Sequence, residues 1–140
     1  MGKRGFTILI VLVLGLLIYG GVHVYTSPTR VVKDYLKNYE EISQLEPELY
    51  SELSPELYPN EIVRFLSYSQ ENNLPEPTIK IEELDPYSKD KVELIASFRI
   101  FTYGRNGILI GSHHGELLFA LVRDNWHWDI DNIRILNEWY

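Results

Sequence analysis

Between Gly5 and Thr29 the chain carries no Asp, Glu, Lys or Arg, a run of 25 residues without a formal charge. Its first part, Phe6 to Tyr19, is almost wholly apolar, and Gly20-Gly-Val-His-Val-Tyr25 extends it to 20 residues. At 1.5 Å per residue a helix of that length spans about 30 Å, the thickness of a bilayer core. A helix apolar on every side has no face to turn toward water. The run therefore predicts a transmembrane anchor helix over residues 6–25. Phe6, Leu9, Leu12, Leu14, Leu17 and Tyr19 are its membrane-anchor residues, with Tyr19 and Tyr25 suited to the far interface. A cleaved signal peptide competes, but cleavage favours small residues in an A-x-A-like pattern, and only Gly20 and Gly21 are small there. A buried soluble helix is the third option.

Lys3 and Arg4 precede the run. Cations stay on the cytoplasmic side, so residues 1–5 are expected in the cytoplasm and a domain over 28–140 outside it. The net charge of −7 then divides into +2 on the short leader and −9 on the domain, which has 11 cations against 20 anions. An acidic domain disfavours nucleic acid, because phosphate binding needs clustered cations. The chain has no cysteine, which excludes disulfides, thiol catalysis and Cys-based metal sites. Gly2 does not signal myristoylation, since position 6 is Phe rather than Ser or Thr.

Ser27-Pro28 reads as a helix start, with Ser as cap and Pro at the first helical position. Val31, Val32, Tyr35, Leu36, Tyr39 and Ile42 follow at helical spacing and predict an amphipathic helix over 29–43. Glu46-Pro-Glu-Leu-Tyr50 is echoed by Ser54-Pro-Glu-Leu-Tyr58, and each half reads as a short helical turn. A further helix is expected from about Pro59 to Asn72, with Ile62, Val63, Phe65 and Leu66 on its apolar face.

After Pro77 the pattern changes to strands. They are expected at 78–84, 91–103, 107–123 and 126–136. Val92, Leu94, Ala96, Phe98 and Ile100 alternate along the second. Asn106-Gly107 is a strong hairpin signal, and Asp124-Asn125 marks the next turn. Trp128 and Ile130 are in phase with each other but not with Ile133 and Ile135, which predicts a bulge near Asp131-Asn132. Helices followed by an antiparallel meander give an α+β domain, two to three helices packed on a curved sheet of about four strands.

This pattern resembles the NTF2-like superfamily, the cone-shaped α+β fold. The likeness lies in the opening helix, Pro28-Thr-Arg-Val-Val-Lys-Asp-Tyr-Leu. It lies also in the closing hairpin, Gly115-Glu-Leu-Leu-Phe-Ala-Leu-Val-Arg-Asp-Asn-Trp-His-Trp-Asp-Ile-Asp-Asn-Ile. It covers about residues 28–137, without a clear strand between the second and third helices. The superfamily includes steroid isomerases and dehydratases as well as non-catalytic modules, so the fold does not give the function. Membrane-anchored members with the domain outside the cytoplasm are similar to subunits of bacterial secretion and conjugation machines.

Few residues suggest chemistry. If Arg123 pairs with Trp126, His114 lies near Ile135, roughly 26 Å along the strand from His127, too far to share a metal. Adjacent His113 and His114 point to opposite faces, one on the sheet face and one exposed. Asp129 and Asp131 sit at i, i+2 and could form a carboxylate pair, although alternation alone accounts for them on a solvated face. Tyr35 and Tyr39 on the first helix read as core packing. No catalytic, cofactor or metal residue is expected.

The clearest feature is an acidic belt. Glu40, Glu41, Glu46, Glu48, Glu52, Glu56 and Glu61 fall in a stretch without Lys or Arg. It is either a solvated helical face or a docking surface for a basic partner. The expected function is a single-pass membrane-anchored module that binds a protein partner or itself. The alternative is a pocket inside the cone that binds or converts a small molecule.

Overall fold

The computed structural model describes residues 13–14, 27–44, 56, 58–85 and 88–140. Among the described residues from Ser27 onward, three helices precede a four-stranded sheet. They are α1 (Pro28–Ser43), α2 (Asn60–Leu66) and α3 (Tyr68–Glu71), followed by β1 (Thr78–Glu83), β2 (Lys91–Tyr103), β3 (Leu109–Asp124) and β4 (His127–Asn137). The sheet is an open antiparallel meander in the order β1-β2-β3-β4. The protein is thus α+β, as the pattern predicts.

Of the expected anchor, only Val13 and Leu14 lie within the described residues, helical and about half exposed. Phe6, Leu9, Leu12, Leu17 and Tyr19 lie outside them, as do Glu46, Glu48, Glu52 and most of the 46–58 near-repeat. Among the described residues, no helix is long and apolar enough to cross a membrane.

Helix α1 forms because Val32, Tyr35, Leu36 and Tyr39 recur at i, i+3, i+4 and i+7, and all four are buried. Pro28 occupies the first turn, where its missing N–H costs nothing. The expected Ser27 side-chain cap is not made. Instead the Ser27 carbonyl accepts the amides of Arg30 at 3.1 Å and Val31 at 3.3 Å. The single helix expected over 59–72 is broken at Ser67 into α2 and α3.

Strand β2 follows its sequence alternation. Val92, Leu94, Ala96, Phe98 and Ile100 are buried on the face toward the helices. Opposite them in the register stand Leu121, Phe119, Leu117, Gly115 and His113 of β3. Beyond β3, Ile133 is buried, with Trp128, Ile130 and Ile135 half-buried against the same core. Burying each large aliphatic or aromatic side chain contributes about 1.5–3 kcal/mol.

The expected bulge is present. Ala120 pairs with Asn132 and Leu121 with Ile130, leaving Asp131 unpaired. The extra residue restores the inward phase, so Ile130 and Ile133 both meet the core. A second bulge at Leu136 and a third at Ile110 had no clear sequence signal.

The last hairpin differs from the expected register. Arg123 pairs with Trp128, not Trp126, because the two turn residues are Asn125 and Trp126, with Asn125 at φ 55°. The turn shifts the register by two residues and the bulges at Asp131 and Leu136 shift it further, and His114 exchanges backbone hydrogen bonds with Tyr140, both at 3.1 Å, rather than lying near Ile135. At the β2–β3 turn only Gly107 has positive φ, 73°. Gly104 N–H donates to Ile108 O and Gly107 N–H to Gly104 O, a type I turn closed by a left-handed glycine.

Candidate interaction surfaces

Tyrosines fill the space between α1 and the sheet. The rings of Tyr35 and Tyr58 stack with centroids 4.7 Å apart, and Tyr35 meets Phe119 edge-on at 5.6 Å. Tyr39 donates its hydroxyl to Val63 O at 3.3 Å. Burial pushes the Tyr35 hydroxyl well above its ordinary pKa, helped by the neighbouring Tyr58, and burial raises Tyr58 as well. Both are neutral packing groups at any physiological pH. Ser69 and Ser97 are the buried polar residues among those described.

Among the described residues, grooves open on two sides of this interior. A cleft of about 440 Å³ runs between α1 and β1 past Lys33, Lys37 and Lys80. Two of these lysines face acids, Lys37 Nζ at 3.6 Å from Glu41 and Lys80 Nζ at 2.6 Å from Glu82. Next to it, a groove of about 190 Å³ is bounded by α1, α3 and the approach to β1. Leu36, Leu74, Ile79 and Phe98 line it, with Glu40 and Glu76 beside them. The third, about 260 Å³, lies on the β4 side and contains Glu61, Arg64, Tyr68, Glu138 and Trp139.

The described part of the acidic belt therefore serves two sides of the helical layer. Glu40 lines the β1-side groove and Glu61 the β4-side groove. Glu41 sits in the last turn of α1 and Glu56 is exposed. Among the described residues, no group of three or more His, Asp or Glu is placed to hold a metal.

The two adjacent histidines are both half-buried, which corrects the expectation that one is exposed. His113 Nδ1 lies 3.2 Å from the Tyr68 hydroxyl. His114 Nδ1 lies 2.8 Å from the Tyr140 hydroxyl, and its Nε2 stands 3.4 Å from Glu116 Oε1 without a hydrogen bond. Glu116 also accepts from Ser97 Oγ at 3.1 Å and from Asn137 Nδ2. The bonds of His114 and Glu116 join β2, β3, β4 and the residues after β4 on the face of the sheet away from the helices, whereas His113 meets α3 on the other face. The line from Tyr140 through His114 to Glu116 is therefore broken at Nε2, and none of the three grooves contains these residues. Asp129 and Asp131 are both exposed, with Asp131 in the bulge.

Sequence reasoning passed over Trp139. Its indole stacks on Tyr68 with centroids 4.7 Å apart and on Phe65 at 5.3 Å. It follows the last expected strand, outside any periodic pattern, so no local signal marked it.

Among the described residues, the largest exposed apolar group lies at the tip of the β2–β3 hairpin. Phe101, Tyr103, Ile108, Leu109 and Ile110 are all exposed there, Tyr103 by 62% and Ile110 by 70%. Strand β1 ends its pairing at Arg99, and the β4 ladder starts at Glu116. The ribbon from Ile100 to Ile110 thus extends beyond both edge strands. Two-stranded ribbons are marginal alone, and contiguous exposed apolar patches mark interaction sites. Comparison with protein-family models, with curated proteins and with solved structures finds no match.

Proposed function

We propose that the chain is a single-pass membrane protein whose 28–140 domain is an extracytoplasmic, NTF2-like, non-catalytic protein-interaction module. It would serve as a subunit of an envelope, secretion or conjugation assembly. Residues 6–25 hold it to lipid, and Lys3 and Arg4 keep residues 1–5 in the cytoplasm. The observation that carries the interaction reading is the apolar β2–β3 tip, standing clear of a helix–sheet interior occupied by the Tyr35–Tyr58 stack. A small-molecule site inside the cone would need that space.

The test has two arms. Fractionation should leave the full chain in membranes after carbonate washing, and protease added to intact cells with a permeable envelope should digest the domain. Release by carbonate, or a protected domain, overturns the anchor and its orientation. Crosslinking in native membranes should capture a protein neighbour through the domain. Capture of none overturns the interaction module.

A further inference from the structure

We infer that the β2–β3 tip of one copy seats in the α1–α3–β1 groove of a second copy of the same chain. The inference rests on the interaction-module reading and names its partner.

The charge distribution carries it. From Leu94 to Gly115 there is no Asp or Glu, while Arg99 and Arg105 are present. This is a cationic stretch in a domain whose overall balance is strongly negative. Arg105 sits in the turn, flanked by exposed Tyr103, Ile108, Leu109 and Ile110. The tip is therefore apolar with a positive point. The groove has the complementary character, apolar walls from Leu36, Leu74 and Ile79 with Glu40 and Glu76 beside them. A cavity of about 150 Å³ takes a benzene-sized group, so a groove of about 190 Å³ has room for one branched side chain of the tip. Arg105 can then reach a carboxylate at the rim. Opposite charges at an interface fix its register, and the buried apolar side chain supplies most of the affinity.

Geometry argues against the chain's own bilayer as the occupant. Thr29 and Lys33 of α1 line a cleft with Ile81, whereas Ser43 and Gln44 line a groove with Phe98. Ile81 pairs with Ala96 and Ile79 with Phe98, so α1 runs toward the β2–β3 tip. Pro28 thus lies at the opposite end of the sheet, with the β1–β2 and β3–β4 turns. From Leu94, at the level of Tyr35, to Tyr103 the strand covers roughly 30 Å. The residues before Ser27 therefore join the domain at the end opposite the tip.

The natural chain has no cysteine, which makes pairwise crosslinking clean. Two full-length single-cysteine variants with different tags, Ile108→Cys at the tip and Gln70→Cys at the groove, are co-expressed in membranes and oxidised. A disulfide-linked dimer carrying both tags is expected. Arg105→Glu in the tip copy should cut its yield about tenfold, the effect of losing a close interfacial charge pair. Glu40→Arg with Glu76→Arg in the groove copy should restore it. The inference is overturned by a mixed-tag yield no greater than with Lys89→Cys in place of Gln70→Cys. It is equally overturned by same-tag tip-to-tip dimers alone, or by a spin label on Ile108→Cys that reports burial in phosphatidylcholine–phosphatidylserine vesicles holding the reconstituted chain. If these occur while crosslinking still captures another protein neighbour, the interaction module stands and only the second copy fails.

Discussion

Trp139 donates its indole N–H to the backbone carbonyl of Phe65 at 2.9 Å, across 74 residues of chain. The bond closes the β4 side of the helical layer, because the same ring stacks on Phe65 and Tyr68. Trp139→Ala should therefore lower stability by about 3–5 kcal/mol, the usual cost of removing a large packed aromatic. Trp139→Phe keeps most of the stacking and loses mainly the hydrogen bond, about 1 kcal/mol. Trp126, 68% exposed in a turn, should be within about 0.5 kcal/mol of neutral when changed to Ala. Denaturant unfolding of the three variants checks the order, and equal effects of Trp126→Ala and Trp139→Ala would refute it.

Gly115 lies beneath the same aromatic group. A Cβ there would stand 2.8 Å from Phe65 Cζ and 3.1 Å from Trp139 Cδ2, both inside contact distance. Gly115→Ala should destabilise by about 1–3 kcal/mol through overpacking. The near-ultraviolet circular dichroism of the aromatic cluster should change with it. An unaltered spectrum and midpoint would mean that the rings have room to move aside.

The Tyr35–Tyr58 stack gives stability a dependence on alkaline pH. Unfolded tyrosines titrate near 10.0, and the folded pair titrates higher. Above pH 10 the unfolded state loses protons that the folded state keeps, so unfolding becomes more favourable. Stability is fully present below that pH and falls as pH rises, by at most about 1.4 kcal/mol per pH unit for each tyrosine. Tyr35→Phe should make the fall between pH 10 and 11 shallower. A slope identical to that of the natural chain would exclude Tyr35 as its source.

Asp131 matters through its place in the backbone. As the unpaired bulge residue it sets the phase between Trp128-Ile130 and Ile133-Ile135. Asp131→Ala, at an exposed position, should change stability by no more than about 0.5 kcal/mol. Deleting Asp131 turns one of the two sets to the other face, with a loss of roughly 2–4 kcal/mol for two apolar side chains. Comparable melting temperatures for the deletion and the natural chain would show that the register had slipped elsewhere without cost.

Local patterns made much of the sheet legible. The alternation in β2, the Asn106-Gly107 turn and the phase change at Asp131 each follow from rules that act within a few residues. The apolar stripe of α1 is similarly local. The β3–β4 register slipped by two residues because Asp124-Asn125 and Asn125-Trp126 are both possible two-residue turns. A two-residue slip keeps every side chain on its own face, so the inward pattern fits both registers, and the structure pairs Leu121 with Ile130 rather than with Trp128. The candidate surfaces were less legible. Glu40 and Glu61 belong to one acidic stretch in sequence, yet they line grooves on opposite sides of the helical layer.

By itself the sequence determined the order of elements, the faces of α1 and β2, the bulge at Asp131 and the apolar run before Ser27. Hydrophobic periods of 3.6 and 2 fix those without reference to distant residues. Only the tertiary structure decided that Trp139 closes the core against Phe65, that Gly115 makes room for it, and that both His113 and His114 are drawn into bonds with tyrosines. It also decided that the β2–β3 ribbon extends past its neighbours, because strand ends are set by pairing between segments. Such contacts join residues far apart in the chain, and no local period encodes them.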